Sequence, residues 1–167
     1  MMIEHFRLLG GFNRWANERI YDAVAALPEP EYRKTRPCAY FGSIHGTLNH
    51  LLVVDRLWFG RLQGAVPPIE SLDQMLHEDF AELRAARGDE DDSIVALLEG
   101  YEDADLTRDC RFTLISAPGE WVMKPRLILT TVFNHQTHHR GQVHAMLKEA
   151  GVEPPGLDVI DYPAALE

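Results

Sequence analysis

Four stretches of this chain repeat apolar side chains at helical spacing, and prolines and glycines separate them. Each stretch carries one face that water disfavours, so the four must bury those faces on one another. The first runs from about Ile3 to Leu27, with Phe6, Leu9, Asn13, Ala16, Ile20 and Val24 along one side, and Pro28 and Pro30 end it. The connection from Glu29 to Phe41 is long enough to cross the end of a bundle. Ser43 can cap a second helix that continues to about Leu62, ahead of Gly64, Pro67 and Pro68. A third helix is expected to start after Ser71 and reach Arg87, break at Gly88 and the acidic run Asp89 to Asp92, and resume from Ser93 to about Ala104. The acidic run reads as a solvated loop and helix start rather than a cation site. The last helix opens at Pro125, a residue suited to a first turn, and runs to about Ala150 before Gly151.

Between the third and last helices the pattern changes. Cys110, Phe112 and Leu114 alternate with Arg111 and Thr113, Ala117-Pro118-Gly119-Glu120 supplies a turn, and Trp121-Val122-Met123 follows. That is the signature of a short hairpin. The segment Pro154 to Glu167 reads as a wrap over the bundle. The expected fold is therefore all-α, a single four-helix-bundle domain over 1–167 with a small β-hairpin insert before the last helix.

A chain of 167 residues can bury a core of its own without disulfides or metals as staples. No apolar run approaches the ~18 to 20 residues of a membrane span, so none is expected. Met1 to Arg7 lacks the basic-then-apolar layout of a signal peptide and reads as helix. Cys38 and Cys110 stand far apart in no metal or redox spacing, which fits small hydrophobes in a reducing cytoplasm. The net charge of −10, with no lysine- or arginine-rich segment to offset it, argues against nucleic acid and against anionic membrane surfaces as partners.

The eight histidines are unevenly spread. His135, His138 and His139 crowd into one short segment of the last helix, and His135 and His139, four apart, rise from one face with Cβ atoms ~5 to 6 Å apart. Two imidazoles so placed can converge on one ion at ~2.0 to 2.1 Å. On a helical wheel they share a stripe with Ile128, Thr131, Val132, Gln142 and Met146, the side expected to face the core. His138 falls at the edge of that stripe and His144 points elsewhere.

His50, among Gly46, Thr47, Val53, Val54 and Leu57 on the second helix, is the best third ligand; its competing role is a buried ring hydrogen-bonded to a carbonyl. His45 and His77 flank helix starts and His5 lies off the first helix's inner face, so all three are expected to face solvent or cap helices. Asn13 and Gln142 are inward polar residues that either orient ligands or sit as satisfied core amides. No Glu-x-x-His pair, His-Glu-x-x-His, Gly-x-Ser-x-Gly elbow, P-loop or dinucleotide fingerprint occurs.

Several motifs together resemble a known family across nearly the whole chain. They are Phe12-Asn13-Arg14-Trp15-Ala16-Asn17, then Asn49-His50-Leu51-Leu52 with Asp55-Arg56-Leu57-Trp58, then Asn134 to Gln142 with its His139-Arg140-Gly141-Gln142 ending, and Pro155-Gly156-Leu157-Asp158. The chain resembles the DinB/YfiT-like family of metal-binding four-helix proteins. The resemblance implies an up-down-down-up bundle, a homodimer, and a metal held by three histidines that fall on His50, His135 and His139.

Three neutral imidazoles leave a coordination position for water or a substrate atom, the arrangement of a catalytic site. Zinc, nickel and ferrous iron all accept nitrogen ligands, so one divalent transition metal of unspecified identity is expected. Some relatives resemble thiol-dependent transferases or isomerases, and hydrolysis would use the same position. The partner would then be a low-molecular-weight thiol or another small molecule. Asn13, Gln142 or Asp55 would orient ligands, with Asp55 equally able to pair with Arg56 or Arg140. A non-enzymatic, stress-related protein whose ion braces the bundle is the alternative.

Overall fold

A computed structural model describes residues 1–37, 39–115 and 117–166. The long helices are α1 (Met2–Ala25), α3 (Ile44–Gln63), α4 (Phe80–Glu99) and α5 (Pro125–Glu149), with a single-turn α2 (Glu29–Arg33) in the first connection. Strands β1 (Cys110–Thr113) and β2 (Glu120–Met123) pair antiparallel, Cys110 opposite Met123 and Thr113 opposite Glu120.

Contacts between residues set the direction of each helix. Arg7 reaches the carbonyl of Leu98 while Asn17 reaches Asp91, so α1 and α4 run antiparallel. Phe6 stacks on Phe133 and Asn13 meets Arg140, which makes α5 parallel to α1. Phe59 meets Phe133 while His50 meets His139, so α3 opposes α5. The bundle is up-down-down-up, as the resemblance implied.

Its interior has two apolar halves. One gathers Phe6, Phe59, Leu62, Leu98 and Ile128; the other gathers Ile20, Leu48, Leu52, Leu83 and Leu147. Between them lies a buried polar layer of Asn13, Asn17, Asp55, Arg87, Asp91, Gln136 and Arg140. Arg87 donates to Asp55 at 2.8 Å and to Asp91 at 3.0 Å, Asp91 also accepts from Asn13 and Asn17, and Arg140 donates to the side-chain oxygens of Asn13 and Asn17. Two arginines thus balance two aspartates, the condition under which buried charge is tolerable.

The third helix departs from the expected bounds. It starts at Phe80, where Asp79 caps the Glu82 N–H, and runs unbroken through Gly88. Residues 71–79 do not join it because the side-chain oxygen of Asn49 accepts from the N–H groups of Leu76 and His77 and holds that stretch in turns. The acidic run is not a solvated loop. Asp91 is buried on Arg87, one turn before it, and Glu90 lies 3.5 Å from Arg56 of α3, so one pair within the helix and one to its neighbour carry it across the glycine.

The first helix ends at Ala25, ahead of the expected Leu27. The stripe of α5 is also turned from the one expected: Thr131 is exposed, while Leu129, Phe133, Gln136, Arg140 and Val143 are buried. After α5 the chain passes back over α1, where the Tyr162 ring meets Phe12 and Trp15. Gly11 makes room for it, since a Cβ there would stand 2.5 Å from the Tyr162 hydroxyl. Cys110 is buried and free, as expected; Cys38 lies outside the described residues. No helix among the described residues is long and apolar enough to cross a membrane.

Candidate metal centre

Antiparallel packing of α3 on α5 brings His50 against His135 and His139. One ring nitrogen from each lies within 4.8 Å of the others, and the ring centroids are 4.4 to 5.0 Å apart. The Nε2 atoms of His50 and His135 are 3.0 Å apart. Two nitrogens bound to one tetrahedral ion at ~2.0 to 2.1 Å would stand ~3.3 Å apart, so this spacing is close to what a shared ion needs.

The tautomers suit a metal as well. A carbonyl can only accept, so the 2.7 Å contact between His50 Nδ1 and the Leu72 oxygen places the proton on Nδ1 and leaves Nε2 with a free lone pair. His139 Nδ1 likewise donates to the Gln142 side-chain oxygen at 2.8 Å, and the Gln142 amide in turn lies 3.2 Å from His138 Nε2. The buried His135 Nδ1 has no partner among the described residues. Phe41 stacks flat on His50, with centroids 3.6 Å apart, and covers one side of the group.

All three rings are held neutral, the form that can ligate. Burial is the main cause of a His50 pKa pushed down to about 4; His139 adds to it and the Leu72 carbonyl resists. Burial, then His139, His50 and His138, push His135 down to about 3. His139 is lowered too, first by burial and then by His138, with the Gln142 bond opposing.

A cleft of about 170 Å³ opens onto His50 and His135 between Val54, Leu57, Trp58 and the hairpin residues Leu114 and Ile115. A larger depression of about 570 Å³ is lined by Phe41 and Leu72 but by none of the three histidines. The smaller cleft is the one that reaches the candidate ligands.

A family model described as the DinB family matches residues 2–166. This chain belongs to the DinB family. It is 30% identical over 149 residues to Protein DinB of Bacillus subtilis strain 168, covering 84% of this chain and 83% of that protein. Two solved structures share the fold. A DinB-like protein from Bacillus cereus superposes with a TM-score of 0.62 at 19% identity, covering 84% of this chain and 89% of the other. A DinB-like protein from Bacillus subtilis superposes with a TM-score of 0.65 at 19% identity, over 90% of this chain and 97% of the other.

In this DinB-family chain the residues singled out for orienting roles divide between two places. Gln142 contacts His139 directly. Asn13 and Asp55 instead belong to the buried polar layer, and the partner of Asp55 is Arg87 rather than Arg56 or Arg140. Burial raises the Asp55 carboxyl to about 6 while Arg87 pulls it back.

His45 is not solvent-facing. It is buried under Tyr32, donates Nε2–H to the His77 carbonyl at 2.9 Å and accepts from Arg33 on Nδ1. It braces the start of α3. His5 and His138 are exposed. Sequence reasoning gave no role to Gln136 or Asn17, although Asn17 follows Asn13, and Arg140 follows Gln136, by one helical turn. It also missed the Leu72 carbonyl, which carries no residue-type signal at all.

Proposed function

We propose that this DinB-family protein holds one divalent transition metal on His50, His135 and His139 and acts as a metal-dependent enzyme on a small molecule, by thiol transfer or by hydrolysis. The observation that carries the reading is the convergence of three neutral imidazoles, two with Nε2 freed by a bond at Nδ1, beside an open cleft. When bound, such an ion supplies a Lewis-acid centre that lowers the pKa of a water or thiol placed on it. Zinc, nickel and ferrous iron all suit three nitrogen donors.

The chain's own residues do the rest. The Leu72 carbonyl and Gln142 fix two ring orientations, so little reorganisation accompanies loading. Phe41 shields one side of His50 from water. Val54, Leu57 and Trp58 give the open side an apolar wall, which favours a carbon-rich substrate and thins the water around it.

The test is metal analysis of single variants, followed by a screen of the loaded protein against small thiols and electrophiles. His50→Ala, His135→Ala and His139→Ala should each lose bound metal, and His138→Ala should keep full stoichiometry. Near-full occupancy in all three ligand variants would overturn the site, and a loaded protein inert to every thiol, electrophile and ester tried would overturn the enzyme.

A further inference from the structure

One cationic side chain in the cleft has no hydrogen-bond acceptor among the described residues. His50, Val54, Leu57, Trp58 and Arg61 follow one another at helical spacing on α3 and all line the same space. Arg61 is only 7% exposed, yet among the described residues no carboxylate, carbonyl or hydroxyl accepts from its guanidinium. The group rests on the faces of Trp58, at 4.6 Å, and Phe112, at 5.2 Å. The other nearly buried arginines each have an acceptor: Arg36 has Glu31, Arg87 has Asp55 and Asp91, and Arg140 has Asn13. Its nitrogens still face the open cleft, and a partly desolvated cation with no anion beside it is a ready partner for an anionic ligand.

We propose that the cleft takes an elongated aliphatic carboxylate, its carboxylate held by Arg61 and its other end at His50 and His135. This rests on the proposed metal site for its far end only. Eleven residues of helix separate the α-carbons of His50 and Arg61 by ~16 Å. The guanidinium leans back over Trp58, one turn nearer the histidines, which leaves a span on the order of 10 Å.

The cleft, at about 170 Å³, is large enough to admit a short aliphatic chain. Val54, Leu57 and Leu114 line it, so its middle suits methylenes. A carboxylate matches the planar fork of an arginine through two parallel hydrogen bonds.

The probe is 6-mercaptohexanoate, long enough for that span, compared with its neutral isostere 6-mercaptohexanamide and with the shorter 3-mercaptopropionate. Calorimetry on the zinc-loaded protein should show the hexanoate bound at least about tenfold more tightly than either. In Arg61→Met, which keeps the apolar stem, that preference should vanish while bound zinc stays unchanged. Trp58 emission in the chelated protein gives a second readout, with Trp58→Phe as its control, and the acid should quench it at lower concentration than the amide. Equal affinity for acid and amide in the wild-type protein, loaded and chelated, overturns the proposal, and so does a preference that survives in Arg61→Met. A protein that takes up no zinc overturns the metal reading alone, because the emission titration still decides the role of Arg61.

Discussion

His139 and Gln142 sit one turn apart on α5, and the amide oxygen takes the Nδ1 proton that would otherwise point into a half-buried space. Removing that acceptor frees the ring to rotate and to swap tautomers, and outer partners of this kind typically govern metal affinity ~10 to 100-fold. Gln142→Ala should therefore weaken metal binding by about that factor in a competitive chelator titration, while saturating metal still gives the same stoichiometry. An unchanged dissociation constant would mean that the bond does not position His139. At this scale the sequence was informative wherever a side chain announces its chemistry: spacing made the three histidines candidates, and the family resemblance pointed to the same three. The Leu72 carbonyl was not legible, since any residue supplies one. Asp55 and Asn13 were placed near the ligands because inward polar residues on neighbouring helices look alike in one dimension; only packing shows that Arg87 and Arg140 claim them first.

Among the helices, α4 separates what periodicity can show from what it cannot. Gly88 and four acidic residues in succession resemble a break, yet the helix continues because Asp91 turns inward to Arg87 while Asp89 and Asp92 remain exposed. Burial of one member of an acidic run depends on a cation supplied by the same helix and on amides supplied by α1, and no local pattern contains that information. Gly88 itself is exposed, with nothing within 4 Å of where a Cβ would stand. Its retention costs the helix conformational entropy, so Gly88→Ala should raise stability by about 0.5 to 1 kcal/mol, read as a higher urea midpoint at an unchanged slope. A lower midpoint would contradict an unbroken α4.

Asp91→Ala should act in the opposite sense. It leaves Arg87 half-compensated and removes the acceptor of Asn13 and Asn17, a loss of about 3 to 5 kcal/mol for a broken buried pair. A denaturation midpoint close to that of the unsubstituted protein would mean the polar layer is solvated and not structural. The hairpin and the outer helices were easier to read than α4, because alternation at Cys110, Phe112 and Leu114, the cap at Ser43 and the first-turn Pro125 are local signals.

For the whole molecule the question is whether the ion holds the bundle together or is held by it. Two apolar halves and a charge-balanced polar layer are complete without the three histidines, which stand beside the layer at the α3–α5 seam. The chelated protein should accordingly stay helical by circular dichroism and melt cooperatively, at a lower temperature than the loaded protein, because a ligand that binds only the folded state adds stability by mass action. The metal-free fold should also depend on pH with a definite sign. In the unfolded chain these histidines titrate near ~6.5, whereas in the fold burial holds His50 down to about 4 and His135 down to about 3. Between ~6.5 and ~4 the unfolded chain therefore binds protons that the folded chain refuses, and stability falls as pH falls, by up to about 1.4 kcal/mol per pH unit for each such ring. His139 and His45, both lowered, act in the same direction. Asp55, raised to about 6, and Glu90, also raised, act in the opposite direction, taking up protons in the fold over the lower part of that range. The large shifts at His50 and His135 together exceed that at Asp55, which leaves a net loss. The melting temperature of the chelated protein should fall steadily from pH ~6.5 to ~4.5 and be level above ~7, and His50→Gln should make the slope shallower. A flat profile across that range would refute the neutral-ring account, and loss of most helical signal on chelation would assign the ion a structural role in place of the catalytic one.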